Sequence, residues 1–407
     1  MRRALIAAVA SVSLGLGMVG IAAPAMAAEP VPAADFGLHI PGISTGTDPN
    51  TSYGAIRLWD SGVAWGQVNQ AKGKYWWNGL DASIGNANAQ GAQILYVLGG
   101  TPTWSASNKK QGTYPNKGAA SMPKLADWKT WVKAVVQRYG SSIESYQIWN
   151  EANLSTFWQG TPKQMAQLTK EAYKIIKAGD PTAKVVSASS TVRLTSAYNK
   201  FFPTYLKELK KVGWPVDVFS VHTYPAGPGT PATRSQLITT VQASLKKAGA
   251  PAKPLWDTEV NYGIAGPGGG NPHVTIDGLQ AANWVADTYL DNNRLGVDRS
   301  YWYFWAPSNP LLGIQMVDGS AGATGFQTVQ NWLKDSYASC TTGSVNACNL
   351  TGRFPAVVAW VDSGSAAYTV PDFATTMCDA LNSCTPVAPG SAITIGDGPK
   401  WFGTVTN

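Results

Sequence analysis

The sequence predicts an α/β chain: a (β/α)8 TIM barrel followed by a small β domain. Three observations predict it. Eight short apolar runs recur between residues 36 and 306, helix-like stretches separate most of them, and the character of the chain changes after residue 336. The runs are nearly continuous in apolar residues rather than alternating, as expected of parallel strands covered on both faces. Eight strand–helix units over some 300 residues suit a closed barrel, and an open doubly wound sheet is the alternative.

The strand candidates in order are "FGLHI" (36–40), "AIRLW" (55–59), "AQILYVLG" (92–99), "SYQIWN" (145–150), "AKVVSASS" (183–190), "VDVFSVHTY" (216–224), "KPLWDTEV" (253–260) and "SYWYFWA" (300–306). Residues 124–139 repeat apolar side chains at spacings of three and four, which predicts a helix. So do residues 162–178, which open with Thr161 as cap and Pro162 in the first turn. Residues 337–407 carry Gly, Ser and Thr between alternating runs such as "AVVAWVD" and "SAITIGDG". They predict a small β domain, with one short helix near "PDFATTMCDAL". All four cysteines, Cys340, Cys348, Cys378 and Cys384, lie there. An even count suits two disulfides, and the short-loop pairing Cys340–Cys348 and Cys378–Cys384 is the simplest of three connectivities.

The N-terminus has Arg2 and Arg3, an apolar stretch, and Ala25-Met26-Ala27. That order predicts a secretory leader over 1–27, a barrel over 28–336 and the β domain over 337–407. No later segment is long and apolar enough to span a bilayer. A soluble, secreted monomer is expected. The net charge is +7, and losing the leader removes two arginines and no acid, leaving +5. No cluster of Lys and Arg marks a nucleic-acid surface. The three histidines are too dispersed to suggest a metal site. "GISTG" (42–46) lacks the helix a nucleophile elbow needs, and "GPGGGNP" lacks the Lys-Ser/Thr of a phosphate loop. No cofactor is expected.

In a barrel, reacting groups stand at the C-terminal ends of the strands. Those ends supply His39, Arg57, Asp60, Trp104, Asn150, Glu151, His222, Tyr224, Glu259, Trp302 and Trp305. Two of them are glutamates, on strands four and seven. A pair of carboxylates across a barrel mouth suits cleavage of a glycosidic bond: one protonates the leaving oxygen, the other attacks the anomeric carbon or activates water. Tyr224 is placed to bond a nucleophile, Asn150 to hold a sugar hydroxyl, and Trp104 and Trp305 to floor subsites. The 17 tryptophans support an aromatic cleft. Trp149 and Trp158 are candidate walls for Glu151. Each has a plainer reading. Glu151 could only stabilise a helix start, Asp60 could cap the next loop, and His39 and His222 could be satisfied core residues. Asp257 should share the inward face with Glu259 at a deeper level, as a structural partner of Arg57 or as a catalytic rival.

The pieces "WNEANL..FW" and, some 108 residues later, "DTEVNYG" resemble a retaining glycoside hydrolase of clan A, most like family 39 and its relatives. "RLWDSGVAWGQV", "TPTW", "VHTYP" and "LLGIQMVDG" to "VQNWL" extend the resemblance over most of 36–335, and the tail resembles the β-sandwich companion of such barrels. The resemblance implies Glu151 as acid/base, Glu259 as nucleophile, Asn150 on the sugar 2-hydroxyl and Tyr224 orienting the nucleophile. The family often has Pro after the acid/base, where this chain has Ala152. The reading is a hydrolase of a polysaccharide or oligosaccharide, with endo action favoured by the long 105–124 segment. A carbohydrate-binding barrel without turnover and a retaining transglycosylase are the alternatives.

Overall fold

The computed structural model describes residues 29–266, 273–306, 309–396 and 398–404. The expected leader, 1–27, and residues 267–272 of the Gly-rich stretch lie outside them. β1 (Phe36–Leu38) and β2 (Ala55–Leu58) lead through one-turn α1 (Trp65–Val68) and α2 (Asn78–Ala89) to β3 (Gln93–Val97). Then follow α3 (Leu125–Tyr139), β4 (Ser145–Gln147), α4 (Pro162–Gly179), β5 (Lys184–Val186) and α5 (Thr195–Lys211). β6 (Phe219–His222), α6 (Pro231–Ala248), β7 (Leu255–Val260), α7 (Gly278–Leu295), β8 (Arg299–Trp302) and α8 (Ala321–Leu333) complete the alternation. Seven strands fall inside their expected apolar runs, and β8 starts one residue before its run, at Arg299. The runs are longer because residues beyond the ladder, such as Ile148 and Trp149, are buried too.

The strands pair in the order β5-β4-β3-β2-β1-β8-β7-β6. Parallel bridges Val186–Val218 and Thr191–His222 join β5 to β6 and close the barrel. Ala55, Leu95, Val186, Val218, Trp256 and Tyr301 form a separate apolar cluster, the lower plug of the barrel. Gly37 on β1 makes room for that plug, since a Cβ there would collide with the Tyr301 ring. Above the plug the filling turns polar, with Arg57, Gln147 and Ser220 all buried. The helices are set as their sequences ask. Thr161 accepts from the Gln164 N–H and Pro162 opens α4. Thr230 and Pro231 do the same for α6.

β7 departs from a regular strand. Val221 and His222 of β6 pair with Asp257 and Glu259, skipping Thr258. The ladder to β8 shifts in the same place. One extra residue on one strand re-aims the side chains beyond it.

The C-terminal part adds β9 (Tyr337–Thr341), β10 (Asn346–Thr351), β11 (Ala356–Trp360), β12 (Ser365–Thr369), β13 (Thr376–Cys378), β14 (Cys384–Pro386), β15 (Ala392–Gly396) and β16 (Lys400–Gly403). They make a six-stranded sheet, ordered β14-β13-β16-β11-β10-β9, and a two-stranded sheet of β12 and β15. The short helix expected near "PDFATTMCDAL" is not there. Turns and β13 occupy that stretch, because Met377 pairs with Phe402 of β16 and tertiary pairing outweighs local pattern. Cys340–Cys348 and Cys378–Cys384 are bonded, each across directly opposed positions of an antiparallel pair. Trp360, Leu350 and Cys348 join the same apolar core as the barrel helices.

Candidate active site

The mouth of the barrel holds a cavity of about 770 Å³ lined by Asp60, Asn150, Glu151, Arg193, Tyr224 and Glu259 among others. Its polar groups converge on the two glutamates. Glu151 follows β4 with φ 37°, the left-handed region that a residue with a Cβ rarely adopts. Such a conformation costs of order 1–3 kcal/mol and survives only where neighbours enforce it. Here Ser189 enforces it: its Oγ accepts from the Glu151 N–H (2.9 Å) and its carbonyl from the Ala152 N–H (2.9 Å). The carboxylate is thereby turned toward the barrel axis.

Glu259 is brought there by the β7 shift. Arg57 Nη1 donates to its Oε1 at 2.6 Å, and the Tyr224 hydroxyl donates to its Oε2 at 2.9 Å. Arg57 is itself held by Gln147 (2.7 Å) and by Asn150 Oδ1 (2.8 Å), so its position is determined from three sides. That use of Oδ1 leaves the Asn150 amide NH2 as a donor with no partner among the described residues. His222 Nδ1 lies 3.2 Å from Glu151 Oε1 and 3.3 Å from Glu259 Oε2.

The electrostatics separate the two acids. Burial raises the Glu151 pKa to about 7, Asp60 adds to the rise, and Arg193 and Arg57 oppose it. Burial also pushes Glu259 upward, opposed by His222 and Arg57. The direct ion pair belongs to Glu259, so it is the member that keeps its charge. Burial lowers His222 to about 4, which leaves the ring neutral at ordinary pH. Its Nδ1 then carries the proton that two carboxylates face, while Nε2 is buried without a partner among the described residues.

Glu151, His222 and Glu259 each offer one atom within 4.8 Å of the others, a spacing a metal ion could also use. Glu259 already carries a guanidinium at 2.6 Å. A divalent cation would have to share that carboxylate with a fixed positive charge, so the donor set fits proton handling rather than a metal.

A family model described as glycosyl hydrolase catalytic core matches residues 84–310. The chain belongs to the glycosyl hydrolase catalytic core family. It is a glycosidase. Solved structures share its fold. A family 39 glycoside hydrolase from Bacteroides cellulosilyticus WH2 aligns at TM-score 0.69 and 17% identity, covering 92% of this chain and 81% of that one. A monomeric β-xylosidase from Caulobacter crescentus CB15 aligns at 0.64 and 19%, covering 92% and 97%. A family 44 xyloglucanase from Paenibacillus polymyxa aligns at 0.59 and 13%, covering 92% and 97%. Comparison with curated protein sequences gives no match.

Four of the residues expected at this glycosidase's site meet there around Glu151 and Glu259: Arg57, Asn150, His222 and Tyr224 touch the pair or each other, as given above. Three expected substrate contacts do not. His39 is buried, and its Nε2 bonds the Thr258 carbonyl at 3.0 Å, in the residue that the β7 ladder skips. It pins the bulge instead of facing a sugar. Trp104 lies against Trp65, and its Nε1 donates to the Asn69 carbonyl. Trp305 is buried with its backbone N–H on the His39 carbonyl, and Tyr303 and Phe304 line the cleft in its place. Asp257 does not share the inward face. It pairs with Arg234 of α6 at 2.9 Å, because the bulge breaks the two-residue period between it and Glu259. Most of the tryptophan excess serves packing, as in the stacked Trp65, Trp131 and Trp77. Among the tryptophans only Trp59 lines the cleft, and Trp158 walls an adjoining cavity rather than Glu151 itself.

Two further residues shape the site: Arg193, which was not among the strand-end candidates, and Asp60, which lines the cleft rather than only capping a loop. Asp60 accepts from the Tyr114 hydroxyl at 2.5 Å and the Tyr303 hydroxyl at 2.6 Å, as a wall of the cleft. Arg193 follows β5, the one strand whose end contributed no candidate. Its signal in the sequence is the polar stretch "SASSTVRL" that ends the fifth apolar run.

Proposed function

We propose that the protein is a secreted, monomeric, retaining glycoside hydrolase that cuts within a polysaccharide or oligosaccharide by double displacement. The observation that carries the retaining reading is the spacing of the pair. Carboxylate oxygens of Glu151 and Glu259 lie within 4.8 Å of each other. Retaining enzymes hold their carboxyls about 5–5.5 Å apart, whereas inverting ones leave about 6.5–9.5 Å for a water.

In the first step Glu151 gives its proton to the glycosidic oxygen. A Glu259 oxygen bonds the anomeric carbon as the carbon–oxygen bond to the leaving sugar breaks. Once Glu259 is esterified its charge is gone, and the Glu151 pKa drops. Glu151 then takes a proton from water, whose oxygen attacks the anomeric carbon and frees Glu259. Arg57 and Tyr224 keep Glu259 ionised and oriented until attack, and Asn150 offers its amide to the sugar 2-hydroxyl.

Endo action is supported by a second cavity that continues the cleft past Glu151, sharing Leu154, Ser155, Arg193 and Leu194 with it. Secretion is supported by the leader-like N-terminus and by two disulfides, which persist in oxidising compartments. The test is a polysaccharide panel that begins with xylosides, glucosides and xyloglucan, the substrates named for fold neighbours. Proton NMR of the first-formed anomer is expected to show retention, and inversion would refute the assignment of Glu259 as nucleophile. Release of monosaccharide alone would refute endo action.

A further inference from the structure

The cavity beyond Glu151 measures about 790 Å³ and is lined by Leu154, Ser155, Trp158, Arg193, Ser196 and Lys200, among others. Its charged lining residues are Arg193 and Lys200, with no acid among the described ones. The cleft it opens from is different: Asp60, Glu151 and Glu259 line that part. Arg193 spends Nη1 on the Gly266 carbonyl at 2.6 Å, and its Nε is buried without a hydrogen-bond partner among the described residues. A guanidinium presents five N–H donors in a planar fork. Leaving part of that fork dry and unpaired is costly unless a ligand takes it up. The first turn of α5 borders the same space through Thr195, Ser196 and Ala197, and its N-cap, Leu194, has no side-chain cap. The free N–H groups there add to the positive potential set by Arg193 and Lys200.

We infer that this cavity is a leaving-group subsite for an anionic sugar, one carrying a carboxylate or a sulfate ester. The inference rests on the reading of Glu151 as proton donor. A proton donor stands beside the oxygen of the group that departs, so the leaving sugar lies on the Glu151 side. The chain that lines the cavity, from Ala152 to Trp158, runs directly on from Glu151. An anionic group there meets Arg193 in the fork geometry that suits planar or tetrahedral oxyanions, and Lys200 as a second charge. The opposite side of the reaction centre takes a neutral sugar, since Asp60, held by Tyr114 and Tyr303, would repel an anion. The expected substrate is thus a chain in which a neutral unit is followed by an acidic one.

Calorimetric titration of the full-length protein with D-glucuronate, its neutral methyl ester, glucose 6-sulfate and glucose tests this directly. At least one anion is expected to bind tenfold or more tightly than its neutral counterpart, and the ratio is expected to fall with added salt. Arg193→Gln and Lys200→Gln should each bring the ratio toward one, with a greater loss for Arg193. Preference for glucuronate alone points to uronate units, and for the sulfate alone to sulfated ones. Equal binding of anion and neutral analogue, absence of binding by either anion, or a preference untouched by both substitutions would overturn the proposal. The glycosidase mechanism is read separately, by turnover of the polysaccharide panel in wild type and Glu259→Ala, so either reading can fail alone.

Discussion

Glu151 and Glu259 face each other across the barrel mouth with carboxylate oxygens within 4.8 Å, and their surroundings are unlike. Glu259 has an arginine at 2.6 Å and a tyrosine hydroxyl at 2.9 Å. Glu151 has burial, a neighbouring His222 held neutral, and Arg193 only at longer range. Two identical side chains are therefore driven to opposite protonation states, which is the division that acid and nucleophile require.

The first prediction follows from that division. Glu151→Ala should lower kcat/KM by roughly 100- to 10,000-fold on a substrate whose leaving group needs a proton. On an aryl glycoside with a strongly acidic phenol as leaving group the first step should be nearly unaffected, because no proton is needed. Equal losses on the two substrates would rule out Glu151 as the acid.

Arg57 supplies the second. Burial pushes Glu259 up, and Arg57 is one of the two groups that pull it down. Arg57→Met removes that pull, so the acidic limb of the kcat/KM profile should move to higher pH. Lys at this position should restore little, since a single ammonium cannot serve Glu259, Gln147 and Asn150 together. An acidic limb that stays in place would show that Arg57 does not govern the charge of Glu259.

The third concerns folding and pH. The Glu151 pKa is raised from 4.5 to about 7 by burial, so the folded state holds a proton that the unfolded chain has released. The stability this gives is fully present below about 4.5 and is lost as pH rises through about 7. Glu151→Gln, which cannot ionise, should leave Tm unchanged near pH 4 and raise it by a few degrees near pH 8. A Tm difference independent of pH would contradict the raised value.

The fourth tests the departure at Ala152. Its N–H donates to the Ser189 carbonyl and helps hold Glu151 in the left-handed conformation. Proline has no N–H to give. Ala152→Pro should cost about 1 kcal/mol of stability and lower kcat more than it raises KM, through misplacement of Glu151. An active variant with unchanged kcat would show that Ser189 Oγ alone is enough.

Several features were legible because they depend on local pattern. Continuous apolar runs marked eight strands, Thr161-Pro162 marked a helix start, and polar residues at strand ends marked both glutamates. The sequence pattern reached less far where a side chain's partner is remote. Trp104 and Trp305 carry the aromatic faces a sugar would use, but the Trp104 indole N–H is held by the Asn69 carbonyl and Trp305 is buried with its backbone N–H on the His39 carbonyl. The tail "PDFATTMCDAL" has helical spacing, but β16 lies alongside it and pairs with it.

By itself the sequence determined the order of strands and helices, the two carboxylates at the ends of β4 and β7, and the four cysteines that pair within short loops. These follow from periodicity and proximity along the chain. Only the tertiary structure decided which way those strand ends point. The skipped residue in β7 sends Asp257 to Arg234 and Glu259 to the mouth, against the simple alternation that would have kept them together. Ser189, on the neighbouring β5 loop, turns Glu151 inward. The physical reason is the same in both cases. A strand's facing alternates with every residue, so one shifted register or one left-handed residue reverses it, and what holds such a shift in place lies elsewhere in the chain.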